Sequence, residues 1–387
     1  MKSVMMITRS EFPYDPRVDK ESRSLVKNGF KVFVFSIRKT KNLKKYQTTN
    51  RIKIQRVKNF NSPYLFWINQ IGFIFLAFLK TLKVAINREF DIIHFHNPPD
   101  ILIICSIIPK IFKIKIVFDF HDPLPEFFEA RLNGSRFFKA INLFIEKIAV
   151  KLSDKIIVTN ETTKKIFIKR NKISASKIFV VRYGMDSKDR SIAKSAKKKK
   201  SHFLKLVFLG HIGKQDNVLF LIDIALHLVK NLKKPFKILV VGSGSRFFQL
   251  KQLININRLQ ENFILFGKLS NRNKVFDVLK NSDIALEPAN LNPLNKIVTF
   301  VKLIEYRFFN LPTVCFKTYE SQFTMKESAL YSTSVAGFHK NVLKLSRSPK
   351  LMKKMVEESQ KNIKTTYWEK SEKILFDLYE KLNTNNN

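Results

Sequence analysis

The chain has 387 residues, of which 45% are hydrophobic and 26% are charged, a balance typical of a folded protein with two domains. Ten glycines, thirteen prolines and two cysteines exclude collagen-like, linker-like and disulfide-rich proteins. The net charge is +40, with +21 in residues 1–185 and +19 in the remainder. This charge attracts polyanions, and by itself it leaves nucleic acid, an anionic membrane and phosphorylated small molecules open as partners.

The apolar segments favour a cytoplasmic protein. Cys105 and Cys315 each lie inside an apolar run, as buried thiols do, and two such residues build neither a disulfide framework nor a metal cluster. Arg9 interrupts the first apolar stretch, so no signal peptide is expected. The most apolar window, Tyr64–Leu79, is shorter than the ~20 residues that span a bilayer. We therefore predict a protein that contacts a membrane without crossing it.

Strands alternate with helices along the first half of the chain. Val4–Ile7 is predicted as a strand, a helix begins at Pro16 and ends before Gly29, and Lys31–Ile37 is the next strand. Further strands are predicted at Asp91–Phe95, Lys115–Phe120, Lys155–Thr159 and Ile178–Arg182. This alternation predicts a parallel sheet with helices on both faces, a doubly wound Rossmann-like domain over residues 1–185.

The same alternation restarts after a polar segment, residues 186–203, which includes the run Lys197–Lys200 and is predicted to be a linker. A second Rossmann-like domain is predicted over residues 204–348, and residues 349–387 are predicted to form charged helices that pack back across an interdomain cleft and end in disorder. Its predicted strands are Leu204–Leu209, Lys237–Val241, Phe263–Phe266, Ile284–Glu287 and Thr313–Phe316, with helices at Asn217–Leu232 and Val301–Phe309. Ligands of such sheets bind at the carboxyl ends of the strands, here expected to face the cleft.

A series of motifs follows these strands in order along essentially the whole chain. They are YDPRVDKESRSLVKNGF, FDIIHFHNPPDIL, FDFHDPLPEFF, LSDKIIVTNETTKK, KIFVVRYGMD, LVFLGHIGKQDNV, ILVVGSGS and SDIALEPANLNPLN…TFVKLIEYRFF. Any one of them is a weak signal, but the ordered set closely resembles the family-4 glycosyltransferases with the GT-B fold. The resemblance implies two Rossmann-like domains that face a cleft, with the nucleotide-sugar donor held mainly by the C-terminal one.

The strongest donor-site prediction lies near the start of a helix. Glu305 matches the glutamate that binds the ribose hydroxyls in this family, and Lys302, Thr299 and Tyr306 flank it. From spacing alone, Lys302 and Glu305 equally suit a surface ion pair. The family often has an acidic residue eight positions before the glutamate, where this chain has Ile297.

Glycine-rich turns complete the predicted donor site. Gly210 and Gly213 follow a strand and would let backbone N–H groups approach a phosphate, with Lys214 as an added positive charge. Lys214 suits a solvated turn equally well. Gly242 is predicted to line the nucleotide pocket. The family positions that usually hold an arginine and a lysine here carry His211 and Asp216, a departure that affects the diphosphate contacts.

The acceptor side is predicted in the first domain. His121 matches the histidine that lies beside the transferred sugar, where it stabilises developing charge, although a histidine after a strand is often only structural. Asp15 and Arg17 are predicted to face the cleft, Arg17 as a phosphate clamp and Asp15 also as a helix cap. His94 and His96 share one face of a strand, but no third metal ligand is evident in the sequence, so we predict a structural role.

The sequence therefore predicts a glycosyltransferase that moves a sugar from a nucleotide-diphosphate sugar to a glycan or lipid-linked glycan. No Asp-x-Asp pair is present, so no metal or other cofactor is expected, and no nucleic-acid-binding motif is found. By resemblance the enzyme retains anomeric configuration and serves bacterial surface polysaccharide or lipopolysaccharide synthesis, peripherally on the inner face of the cell membrane. A sugar-nucleotide epimerase and a catalytically silent basic binding protein remain alternatives.

Overall fold

The computed structural model describes residues 2–40, 42–60, 63–131, 136–194, 201–361 and 363–384. The chain divides into two compact units, the first made of the residues up to 183 and from 370 onwards, the second of residues 184–369. Lys197–Lys200 of the predicted linker and the predicted disordered end beyond residue 384 lie outside the described residues.

The first unit is built on one eight-stranded sheet. Its strands are β1 (Ser3–Glu11), β2 (Lys31–Arg38), β3 (Tyr46–Thr49), β4 (Ile52–Lys58), β5 (Ile92–His96), β6 (Lys115–Phe120), β7 (Lys155–Val158) and β8 (Ile178–Val180). Its helices are α1 (Pro16–Lys27), α2 (Phe66–Ile86), α3 (Ile107–Ile111), α4 (Leu124–Arg131), α5 (Arg136–Leu152) and α6 (Glu161–Asn171).

The strand order of this sheet is β3-β4-β2-β1-β5-β6-β7-β8, parallel except for the β3–β4 hairpin. The central strands are apolar on both faces, as helices on both sides require, and Met5, Ile93 and Phe118 are fully buried. The order reverses at β1, since β2 lies on one side of it and β5 on the other. This reversal places the loop after β1 and the ends of β5 and β6 at one edge of the sheet.

The second unit repeats this design with six parallel strands. The strands are β9 (Leu204–Leu209), β10 (Phe236–Val241), β11 (Phe263–Gly267), β12 (Ile284–Glu287), β13 (Thr313–Phe316) and β14 (Ala329–Ser332). The helices are α7 (Arg190–Lys194), α8 (Phe220–Asn231), α9 (Phe247–Ile256), α10 (Arg272–Lys280), α11 (Val301–Phe308), α12 (Tyr319–Met325), α13 (Val335–Arg347), α14 (Pro349–Lys361) and the start of α15 (Trp368–Thr384), whose residues from 370 onwards belong to the first unit.

The second sheet has the order β11-β10-β9-β12-β13-β14, and it reverses at β9. The turn after β9 therefore lies between the ends of β10 and β12. Fold class and alternation match the prediction, a doubly wound parallel-sheet domain in each half of the chain.

Several elements differ from the sequence prediction. Residues 187–194 of the predicted linker form a short 3-10 turn and α7, and Arg190 of α7 is buried, donating hydrogen bonds to the Phe308 carbonyl and to Asn310. The apolar helix α2 has 21 residues and is longer than the window predicted from its composition. By length and composition it is the one described helix that could cross a membrane, although a third of its most apolar stretch is buried.

Candidate active site

Each sheet brings the predicted site residues to its reversal point, where doubly wound sheets bind ligands. In the second unit, Gly210 follows β9, Gly242 follows β10 and Glu287 ends β12. In the first unit, Asp15 follows β1 and His121 follows β6. The two sets form the donor half-site and the acceptor half-site, defined here as the reversal points of the second and first units.

Two glycine turns of the donor half-site lie in direct backbone contact. Gly210 has φ +149° and Gly242 has φ +145°, values that side chains rarely allow. A Cβ on Gly242 would lie 1.8 Å from the Gly210 carbonyl oxygen, and one on Gly210 would lie 3.1 Å from the Nζ and Cε atoms of Lys302. The glycines therefore let the two turns and the Lys302 side chain meet at one place.

Lys302 is held between two carboxylates. Its ammonium lies 2.8 Å from Asp216 Oδ1 and 3.0 Å from Glu287 Oε2, and the residue is 7% exposed. Burial alone would lower the pKa of Lys302, but Glu287 and Asp216 outweigh burial and hold that pKa above its usual value. Lys302 is thus charged but already neutralised by Asp216 and Glu287.

Glu305 lies one turn beyond Lys302 on α11. Burial raises the pKa of its carboxyl to about 7, although Arg272 and Lys302 act in the opposite direction. Asp189 pairs with Arg272 at 2.9 Å. A carboxyl with this pKa is ionised in part near neutral pH and can accept hydrogen bonds from a diol such as ribose.

The other predicted donor residues have distinct surroundings. Tyr306 is fully buried, and its hydroxyl accepts a hydrogen bond from Leu209 N–H and lies 3.4 Å from the Leu286 carbonyl, which ties α11 to β9 and β12. The Thr299 hydroxyl donates to the carboxylate of Glu320.

In the turn after β9, Lys214 is exposed, whereas Gly213 is buried against the imidazole of His211. Of the two cations predicted for the diphosphate, only Lys214 faces solvent.

The acceptor half-site centres on His121. Its Nε2 lies 2.9 Å from Asp119 Oδ2 and 3.0 Å from His96 Nδ1, and its backbone N–H donates to the Asn97 side chain. Asp15 caps α1 by accepting the N–H of Arg17. Burial acts to raise the pKa of Asp15, but the charges of Arg17 and His121 outweigh it, and the pKa lies below its usual value. Asp15 therefore lies within electrostatic range of both Arg17 and His121.

The structure shows candidate metal-binding neighbours of His94 and His96 that the sequence did not make evident. The structure brings Glu21 of α1 and Asp119 of β6 to them, and one candidate ligand atom from each of the four residues lies within 4.8 Å of the others. Burial raises the pKa of Glu21, and so does Asp119, while burial lowers the pKa of both histidines. The cluster was not predicted from the sequence, because its residues come from three separate elements, α1, β5 and β6.

Two of the newly found residues carry a signal in the sequence. Glu21 lies at helical spacing from Val18 and Leu25 on the buried face of α1, where an ionisable residue is unusual. Glu287 ends an apolar strand and is 2% exposed. Acidic residues on otherwise apolar faces therefore mark both buried clusters.

Two doubly wound parallel-sheet units are the architecture of the GT-B glycosyltransferases. The sequence matches the profile of Glycosyltransferase Family 4 over residues 17–189 and that of Glycosyl transferases group 1 over residues 187–362. The chain thus belongs to the family-4, group 1 glycosyltransferases, which use nucleotide sugars. No curated protein matches the sequence.

Solved structures share the fold over nearly the full chain. The sucrose-phosphate synthase of Thermosynechococcus elongatus is 12% identical with a TM-score of 0.76, covering 99% of this chain and 100% of that one. Anabaena HepE in complex with UDP is 15% identical with a TM-score of 0.70, covering 99% and 100%. WaaG, a glycosyltransferase involved in lipopolysaccharide biosynthesis, is 14% identical with a TM-score of 0.70, covering 96% and 99%. At these identities the likeness establishes the fold.

Proposed function

We propose that the protein transfers a hexose from a nucleotide-diphosphate sugar to a hydroxyl of a glycan or lipid-linked glycan, with retention of configuration and without a metal at the diphosphate. The observation that carries the proposal is the meeting of the Gly210 turn with α11, one turn before the half-buried carboxyl of Glu305. A glycine turn at the start of a helix, beside a carboxylate that can accept hydrogen bonds from a diol, suits a nucleoside diphosphate.

The leaving diphosphate would be held chiefly by backbone N–H groups. Phe300, the residue before α11, offers no side-chain acceptor, and the Leu303 N–H donates to its carbonyl, so an anion would be met by the earlier N–H groups of the first turn. In the Gly210–Gly213 turn, the N–H groups of Gly210 and Ile212 donate to the carbonyls of Val241 and Ser243. The turn would therefore contribute through His211 and Gly213, and Lys214 adds one exposed charge. Lys302 contributes less than a free lysine, because Asp216 and Glu287 already pair with it.

In the transfer step, the bond from the sugar anomeric carbon to the diphosphate oxygen breaks, and the acceptor oxygen forms its bond on the same face. The bonding electron pair leaves with the diphosphate, whose oxygen accepts the proton of the acceptor hydroxyl. His121 would lie beside the sugar and stabilise positive charge on the ring, with Asp119 at 2.9 Å to orient its imidazole.

We further propose that the first unit docks on an anionic membrane. One side of α2 packs into the unit through Phe73, Ala77 and Val84, while Trp67 and Phe75 on its other side are 71% and 59% exposed. This one-sided burial favours a helix lying on a membrane over one that spans it.

Neighbouring elements extend this apolar surface. The turn Asp100–Ser106 contacts both α2 and α5, and α3 contacts α2. Exposed apolar side chains on these elements are Ile107 and Ile111 of α3 and Phe137, Phe138 and Phe144 of α5. Lys80, Lys83 and Arg136 supply positive charge. An apolar surface on several adjacent elements marks an interaction site, and a membrane suits a role in bacterial surface polysaccharide or lipopolysaccharide synthesis.

Release of nucleoside diphosphate from a panel of sugar nucleotides, with and without glycan and lipid-linked acceptors, tests the transfer proposal. Acceptor-dependent release is the expected result. Release or isomerisation without acceptor would indicate an epimerase. Binding without any turnover would favour the silent binding protein, an alternative that the neutralised Lys302 supports.

Co-sedimentation with anionic and neutral liposomes, at low salt and at ~0.5 M salt, tests membrane docking. We expect pelleting with anionic liposomes at low salt, weakened by salt and by the double substitution Trp67→Ser with Phe137→Ser. Phe248→Ser is the matched control, because Phe248 is 69% exposed in the second unit. Equal, negligible pelleting with both lipids at low salt would contradict the proposal.

A further inference from the structure

We propose that Glu21, His94, His96 and Asp119 bind one divalent transition-metal ion, with zinc as the best match, inside the first unit. The four residues offer two imidazole nitrogens and two carboxylate oxygens, a ligand set that zinc accepts in four-coordinate sites. The proposal does not depend on the proposed sugar transfer, since all four residues belong to the first unit and lie outside the donor half-site.

The distances between ligand atoms are close to those of a tetrahedral site. His96 Nδ1 lies 3.3 Å from Asp119 Oδ2, and Glu21 Oε2 lies 4.0 Å from both His96 Nδ1 and His94 Nε2. Zinc bonds of about 2.0–2.2 Å place tetrahedral ligand atoms about 3.3–3.6 Å apart. All four ligand atoms lie within 4.8 Å of one another, so binding would draw the side chains inward, Glu21 among them.

The burial of these ligand atoms needs a partner. Glu21, His94, His96 and Asp119 are each no more than 3% exposed. Among the described residues, Glu21 Oε2 and His94 Nε2 make no hydrogen bond, although such buried atoms nearly always find one. Asp119 Oδ2 has His121 Nε2 as a neighbour at 2.9 Å, so its charge is compensated in part. Two neighbouring buried carboxyl groups need compensation when both are ionised. One divalent ion would provide a partner for Glu21 Oε2 and His94 Nε2 and neutralise both carboxylates.

A hydrogen bond from outside the cluster already orients His94. The Tyr379 hydroxyl lies 2.8 Å from His94 Nδ1, and Tyr379 is fully buried. With Nδ1–H donating to this hydroxyl, the lone pair of His94 is on Nε2 and directed at Glu21. Metal-binding histidines almost always have such a partner on their second nitrogen. The ion would also hold Asp119, which contacts His121.

Metal analysis of tag-free protein, grown with added zinc and passed through chelator-treated buffer, tests the site. We expect about one zinc per chain, lost in Glu21→Gln and His94→Gln and retained in Glu146→Gln, which alters another buried glutamate of the first unit. Cobalt substituted for zinc should give the visible bands of a four-coordinate ion.

Tyr379→Phe keeps the test decisive if the ligand variants do not fold, because it changes only the outer partner. Its zinc affinity, measured by chelator competition, should fall about 10- to 100-fold. Folded wild-type protein without zinc and without cobalt bands would overturn the proposal. The four side chains would then be held together by hydrogen bonds. Zinc content unchanged in Glu21→Gln and His94→Gln would also overturn it.

Discussion

Replacing Glu305 by glutamine should weaken nucleotide binding and stabilise the protein at the same time. The pKa of Glu305 rises from 4.5 to about 7 on folding, because burial disfavours its charged form. Between these values the folded state binds more protons than the unfolded state, so the stability of the wild type falls as pH rises from 4.5 to 7. The loss of stability from the ionised Glu305 side chain is small below pH 4.5 and nearly complete above pH 7.

The size of this effect follows from the shift. About 2.5 pK units correspond to roughly 3 kcal/mol, which the partial exposure of Glu305 reduces to about 1–3 kcal/mol. Glutamine has no charge to desolvate. Glu305→Gln should therefore unfold at higher temperature than the wild type at pH 8, by roughly 2–10 °C, and the difference should shrink to about a quarter of that at pH 5.

Affinity should change in the opposite direction. Loss of charged hydrogen bonds to two ribose hydroxyls costs about 2–3 kcal/mol, or roughly 30- to 150-fold in the Kd for nucleoside diphosphate at pH 8. Calorimetric titration measures this Kd, and thermal scans at both pH values measure stability. Glu261→Gln is the control, because the Glu261 side chain is 96% exposed in the same unit. An unchanged Kd would remove Glu305 from the site, and a stability difference independent of pH would refute the buried-charge argument.

Three further predictions concern the same region. Lys302→Met leaves the buried Glu287 and the half-buried Asp216 without their cation and should lower the free energy of unfolding by about 2–5 kcal/mol in denaturant titrations. A loss under 1 kcal/mol would show that the ion pairs are not needed for stability. Gly242→Ala should destabilise by more than about 3 kcal/mol because of the 1.8 Å contact, against about 1 kcal/mol for Gly267→Ala, where nothing lies within 4 Å; equal losses would contradict the close approach. Transfer activity should survive brief treatment with excess chelator, and a rate that collapses and returns with magnesium or manganese would contradict a metal-free diphosphate site.

The sheets were predictable because alternating apolar runs and polar loops report burial directly. Val4–Ile7 predicted the core of β1, although the strand continues to Glu11. The hairpin β3–β4 was missed, since the exposed residues of β3 carry no apolar pattern. The helix α2 continues beyond the apolar window Tyr64–Leu79, because its buried stripe includes Val84 and Ala85 after two lysines.

Motifs predicted candidate site residues one by one, but not the contacts between residues that meet only in space. Gly210, Lys302 and Glu305 were predicted by motif, and the fold brings Gly210 and Lys302 together. Pairing of Lys302 with Asp216 and Glu287 depends on three elements far apart in sequence. The sequence gives the position of a charged residue along the chain, but its ion-pair partners and its burial are known only from the folded structure.

The neutralised Lys302 changes how the excess of 71 basic over 31 acidic residues should be interpreted. If the donor diphosphate were the reason for this charge, cations would concentrate at the Gly210 turn, yet the lysine nearest to it is paired with two carboxylates. Surface lysines more than about 8–10 Å away are screened at physiological salt and add little to donor affinity. An anionic membrane, by contrast, interacts with many lysines at once, each contributing about 1 kcal/mol. The charge therefore supports the docking proposal more than it supports donor binding, and salt should weaken liposome binding far more than it weakens binding of nucleoside diphosphate.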